Sequence, residues 1–133
     1  AHNLVEQNQP LSAEGLSDIY MDLNKKYYGK AVRHNDLIRY EWSRIPHFYT
    51  AFYVYQYATG ITAAVSIANS ILKHGDKAFY NYKKFLSAGG SMPPVEILKL
   101  AGVDLTTEQP FNVAMREFRD TLNSLKALYN EEK

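Results

Sequence analysis

Four of the chain's eleven tyrosines fall within nine positions, at Tyr49, Tyr53, Tyr55 and Tyr57. His47 stands just ahead of them, and Tyr40 and Trp42 lie upstream. Each phenol hydroxyl needs a partner once it leaves water, so a packed core is a poor place for so many. A cleft that grips a polar substrate uses them well. Residues 45–60 therefore read as part of a site, and the remaining residues as the scaffold that holds it.

That scaffold has helical punctuation. Pro10 and Ser12 precede Leu16, Ile19, Tyr20, Leu23 and Tyr27 at three- and four-residue spacing, one apolar helix face ending near Gly29. Asp36 to Trp42 reads as a short helix stopped before Pro46. Residues 52–57 alternate loosely and carry strand propensity. Their continuation from Gly60 to Leu72 reads as a buried helix with small residues at Gly60, Ala63, Ala64 and Ala68, closed by Lys73-His74-Gly75. One helix from about Ala51 to His74 is the favoured reading. Asp76 is the expected N-cap of a helix through Ala88, with Phe79, Tyr82, Phe85 and Leu86 inward and Gly89-Gly90 as the stop. Pro93-Pro94 opens a short helix through Leu100, closed by Gly102. Thr106 to Pro110 opens the last helix. Its Phe111, Met115, Phe118, Leu122, Leu125 and Tyr129 recur at heptad-like spacing, the pattern of a helix packed along one seam. The tail Asn130 to Lys133 is polar and expected to fray. No strand pair is left over, so the expected class is all-α.

A length of 133 residues suggests one domain with a real core. The net charge of +1 provides no field for nucleic acid or an anionic membrane, and there is no basic run. The chain has no cysteine, which excludes disulfides and thiolate metal sites and is compatible with a reducing cytoplasm. The first residues carry no signal-peptide pattern. Ile61 to Leu72 is too short to span a bilayer. The chain does not begin with Met, as expected of a processed product or of a piece of something longer.

Most catalytic chemistries lack their residues. The four histidines, His2, His34, His47 and His74, include no i, i+4 pair and no His-Glu-x-x-His, so no metal site is expected within this chain. No serine sits in a Gly-x-Ser-x-Gly elbow. Asp36 with Glu41, and Glu14 with Asp18, read as solvated helix-face charges. Ala88-Gly89-Gly90-Ser91 lacks the lysine of a phosphate loop. His47 and the tyrosines remain, with two readings. In one, His47 is a structural histidine and the aromatics are core. In the other, imidazole and phenol donate hydrogen bonds to a carbonyl that is becoming an oxyanion. On a continuous helix Tyr49, Tyr53 and Tyr57 share a face and Tyr55 points elsewhere; if residues 46–52 form a loop, only Tyr53 and Tyr57 share it.

Ile45-Pro46-His47-Phe48-Tyr49 and Phe52-Tyr53-Val54-Tyr55-Gln56-Tyr57-Ala58-Thr59-Gly60 resemble the C-terminal signature of the oligoendopeptidase F branch of the thimet oligopeptidase family. Asp22 to Gly29, Phe85 to Ser91 and Leu98 to Leu105 are similar to further landmarks of that branch, in the same order. The resemblance implies a mostly helical zinc metallopeptidase, cytoplasmic and acting on short peptides. It implies that His47, Tyr49 and Tyr55 bind the substrate carbonyl and stabilise the intermediate, with Tyr53 and Tyr57 as adjacent substrate-binding residues. Ala51 stands where this branch often has proline, a departure that loosens the loop. The zinc helix and the third ligand are expected N-terminal to Ala1. Residues 1–133 are then the C-terminal helical part of the catalytic domain, without zinc and inactive alone. Their partners are short peptides and the zinc-bearing part of the same enzyme, and exposed apolar faces favour self-association. Two rival readings are a non-catalytic helical module that grips a peptide or partner helix, and a small-molecule pocket lined by the tyrosines.

Overall fold

The computed structural model describes residues 1–131, and every regular element among them is helical. The expected all-α class is the observed one. The described residues form two compact units, Ala1–Val54 and the residues from Tyr55 onward. Each unit is small, and a short chain buries a smaller share of its surface than a long one. The buried set is correspondingly modest.

In the first unit, helix α1 covers His2–Glu6 and α2 covers Ala13–Tyr28. Ser12 caps α2, its hydroxyl accepting from the Gly15 amide at 3.0 Å. Gly29 closes it at φ +63°, in the left-handed region that favours glycine. The apolar face of α2 is only half used. Ser17 and Met21 are its buried residues, whereas Leu23 and Tyr27 are exposed. Against α2 packs a 3-10 helix, Asp36–Arg44, where a short helix was expected. Trp42 donates its indole N–H to the Ser17 hydroxyl at 3.1 Å, and that hydroxyl donates to the Ala13 carbonyl at 2.7 Å. A further 3-10 helix, Pro46–Tyr49, follows.

The second unit begins with α3, Tyr55–His74. The helix starts four residues later than the expected Ala51, because the chain turns at Thr50–Tyr53 with Phe52 at φ +60°. Gly75, not Asp76, is the cap residue of α4, Asp76–Ala88, and no side chain caps it. Of the four side chains expected inward on α4, Tyr82 and Phe85 pack on the core, while Phe79 and Leu86 are exposed. Helix α5, Pro94–Leu100, ends as the sequence indicates. Gly102 at φ +81° donates to the Lys99 carbonyl and Val103 to the Leu98 carbonyl, a Schellman closure. Val103, 2% exposed, then joins Ala63, Ile67 and Ala101 in the core.

Helix α6, Gln109–Glu131, packs against α3. Ser66 donates to the Pro110 carbonyl at 3.2 Å, and Asn69 donates to the Glu117 carboxylate at 3.0 Å. The buried residues of α6 are Pro110, Val113 and Ala114. The expected seam is not the packed face. Phe111, Met115, Phe118, Leu122, Leu125 and Tyr129 are 37–66% exposed. Periodicity marks an apolar stripe but does not say which neighbour lies along it. The expectation of a frayed tail meets a helix through Glu131, and Glu132 and Lys133 lie outside the described residues. No helix among the described residues is long and apolar enough to cross a membrane.

Candidate functional site

The sequence-predicted residues divide between the two units. His47 and Tyr49 stand on the 3-10 helix that Pro46 opens, a residue whose fixed φ suits a first helical position. Both are exposed. The His47 ring stacks on Tyr53, with centroids 5.2 Å apart and planes 22° apart. Tyr49 is open to solvent along its ring, yet its hydroxyl donates to the Ser43 carbonyl at 2.8 Å. That is its only proton, so Tyr49 can donate to a substrate oxygen only after releasing Ser43. Phe48 meets Tyr20 of α2 edge-on at 6.4 Å, which ties this 3-10 helix to the first unit.

Tyr55 and Tyr57 are the first and third residues of α3, both exposed. Two positions on a helix lie on opposite sides, so these phenols diverge. The continuous helix on which Tyr49, Tyr53 and Tyr57 would share a face does not form: Tyr49 ends a 3-10 helix, Tyr53 is in no helix, and only Tyr57 lies on α3. Tyr55 lies on the wall of an apolar groove of about 930 Å³. Its floor is Gly60, Ala63 and Ala64 of α3, and its sides are Tyr82 and Phe85 of α4 and Val95 and Leu98 of α5. Small residues on α3 thus leave space beside Tyr55. The groove was not legible as such, because its walls come from helices separated in sequence.

Two of the other histidines make packing or hydrogen-bond contacts. His34 Nε2 donates to the Gly29 carbonyl at 2.9 Å, and its Nδ1 lies 2.8 Å from the Asn24 amide oxygen, which fastens the end of α2. His2 stacks on Phe52, centroids 4.2 Å apart. Among the described residues no group of three or more His, Cys, Asp or Glu side chains is placed to hold a metal ion.

The carboxylates read as face charges are mostly paired. Glu14 and Asp18 both reach Arg39, the former at 3.5 Å. Arg44 hydrogen-bonds Glu41, which holds the Glu41 carboxyl below the usual range. Hydrogen bonds from the Thr106 hydroxyl and amide hold Asp104 low, at the turn before α6. None of these groups lies in the groove.

Residues 1–117 match the sequence profile of Peptidase family M3. The chain is 45% identical over 127 residues to Oligopeptidase PepF of Bacillus subtilis, covering 96% of this chain and 19% of that protein. It is 41% identical over 128 residues to an oligoendopeptidase F homolog of Borreliella burgdorferi, covering 96% of this chain and 22% of that one. In three dimensions it is similar to the crystal structure of oligoendopeptidase-F from Enterococcus faecium, with a TM-score of 0.82 and 45% identity over 96% of this chain and 25% of that one. The chain therefore spans about a fifth of the length of these curated relatives. Profile, identity and fold agree that the chain belongs to Peptidase family M3.

Proposed function

We propose that this chain is the C-terminal, substrate-binding helical part of the catalytic domain of a zinc metalloendopeptidase that hydrolyses short oligopeptides in the cytoplasm. The observation that carries the reading is the identity, 45% over nearly the whole chain, to a protein named as an oligopeptidase. The described residues do not fit a zinc site. The metal is then held by polypeptide outside residues 1–133, and this chain alone cleaves nothing. Its contribution is to bind and orient the peptide.

Tyr55 is the side chain best placed to donate. It is exposed beside the groove, and no hydrogen bond within the described residues occupies its hydroxyl. A donor aimed at a developing oxyanion in a closed site is worth several kcal/mol, about 10²-fold or more in kcat. His47 is a second donor, and Tyr49 becomes one on leaving Ser43. Tyr53 and Tyr57, neighbours of these residues in sequence, are peptide-binding residues. The exposed seam of α6 is the face that meets the zinc-bearing part of the enzyme. In isolation that face favours self-association.

Tyr55→Phe in an enzyme containing this segment tests the reading. The expected result is a kcat lower by about 10²-fold with KM nearly unchanged. A change confined to KM moves Tyr55 to ground-state binding. The groove also supports a second reading, a non-catalytic helical module that grips an apolar peptide. Peptide affinity of the 133-residue chain alone, measured by calorimetry, separates the two.

A further inference from the structure

We infer that Phe52 is a positioning residue: its ring, stacked on His2, holds its own backbone in the left-handed region, and the turn so made sets the His47–Tyr53 stack. The proposal rests on the reading of His47 as a peptide-binding side chain only for its functional consequence, and its structural part stands without it.

Thr50 to Tyr53 form a turn, closed by the Tyr53 amide donating to the Thr50 carbonyl at 3.2 Å. Phe52 is the third residue of that turn, with φ +60°. Among the described non-glycine residues only Asn8 shares a positive φ, and asparagine tolerates it. A turn with its third residue at positive φ takes Gly or Asn there. A phenylalanine in that place is strained, and strain of this kind persists only where surrounding contacts over-determine it.

The contacts come from a distant point in the chain. The Phe52 ring lies on the His2 imidazole at 4.2 Å with planes 9° apart. The Phe52 amide points at His2 Nε2, 3.4 Å away. Backbone and ring of the strained residue thus share one partner, fifty positions earlier. On either side of Phe52 stand the two rings of the other stack. His47 accepts through its carbonyl from the Thr50 amide at 3.3 Å, and Tyr53 closes the turn. Were Phe52 to relax to negative φ, the turn would open and Tyr53 would leave the His47 ring. Strain stored beside proposed substrate-binding residues keeps them in one arrangement before the peptide arrives.

The test uses His47 ring resonances of the isotope-labelled 133-residue chain, which sense the Tyr53 ring lying over them. His2→Ala and Phe52→Ala are both expected to move these resonances away from their wild-type positions, by loss of the Tyr53 ring current. His2→Phe, which restores a stacking partner, is expected to return them. His47 resonances that stay in place in His2→Ala overturn the proposal. His2 is exposed on a five-residue helix, so His2→Ala decides the matter even if Phe52→Ala unfolds. In an enzyme containing the segment, His2→Ala is expected to lower kcat about tenfold with KM within about twofold, the scale of a slightly misplaced binding group. Shifted resonances with an unchanged kcat uphold the positioning role and refute the catalytic use of His47.

Discussion

Replacing Ala51 with proline is expected to stabilise the chain, and the size of the effect follows from the turn it enters. Ala51 is the second residue of the Thr50–Tyr53 turn, and it is not at positive φ. With Phe52 positive, this is the type II pattern, whose second residue has φ near −60° and commonly takes proline. The residue before proline must be extended, and Thr50 already is, at φ −108° and ψ 116°. No native hydrogen bond from the Ala51 amide is lost among the described residues. The gain is then the lost freedom of the unfolded chain, about 0.4–1 kcal/mol. For a chain of this size that raises Tm by roughly 2–6 °C. Thermal unfolding followed by far-ultraviolet circular dichroism measures it, with His47 resonances as a check that the turn is intact. A lower Tm would refute the turn assignment, because proline is unfavourable there only if the backbone is not as described. An unchanged Tm with unchanged resonances would mean that the first unit does not limit thermal stability, and amide exchange at Tyr53 would then have to slow instead.

Further outcomes are expected. Gly102→Ala meets no atom within 4 Å, so its cost is that of φ +81° alone, about 1 kcal/mol, read by urea denaturation. Tyr49→Phe frees the Ser43 carbonyl, and because the site is exposed the loss of stability stays at or below about 0.5 kcal/mol; a larger loss would make the bond structural rather than a latch on a substrate donor. Asp104 is held low by Thr106, so its contribution is present above the unfolded aspartate range and is lost as pH falls through its folded value. The acid limb of the stability curve should therefore move up in Thr106→Val, and an unmoved limb would remove Asp104 from the account. Leu122→Glu with Leu125→Glu is expected to suppress association of the isolated chain in light scattering at high concentration, and a wild-type chain that is already a monodisperse monomer would refute the proposed role of the α6 seam.

Some features followed from local sequence alone. Ser12, Gly29, Gly75, Pro94 and Gly102 mark helix ends because their backbone or side-chain chemistry acts within a turn of where they stand. The all-α class followed from those marks and from three- and four-residue apolar spacing. The dense tyrosines argued against a packed core for residues 45–60, and the aromatic rings from His47 to Tyr57 are exposed. Family membership lay in short-range signatures, at these residues and at Asp22 to Gly29, Phe85 to Ser91 and Leu98 to Leu105.

Packing decided the rest. Phe52 gave no sign of a turn, since its left-handed φ depends on His2, and nothing local marks a contact fifty positions away. That turn cut the expected Ala51–His74 helix at Tyr55, so no continuous helix carries Tyr49, Tyr53 and Tyr57. The α6 stripe was visible as a stripe, but burial belongs to neighbours, and α3 takes Pro110, Val113 and Ala114 instead. The groove beside Tyr55 exists because α3, α4 and α5 leave small residues at its floor. Local conformational preference is written in each stretch of chain; which faces meet depends on all the stretches at once, and only the folded structure resolves it.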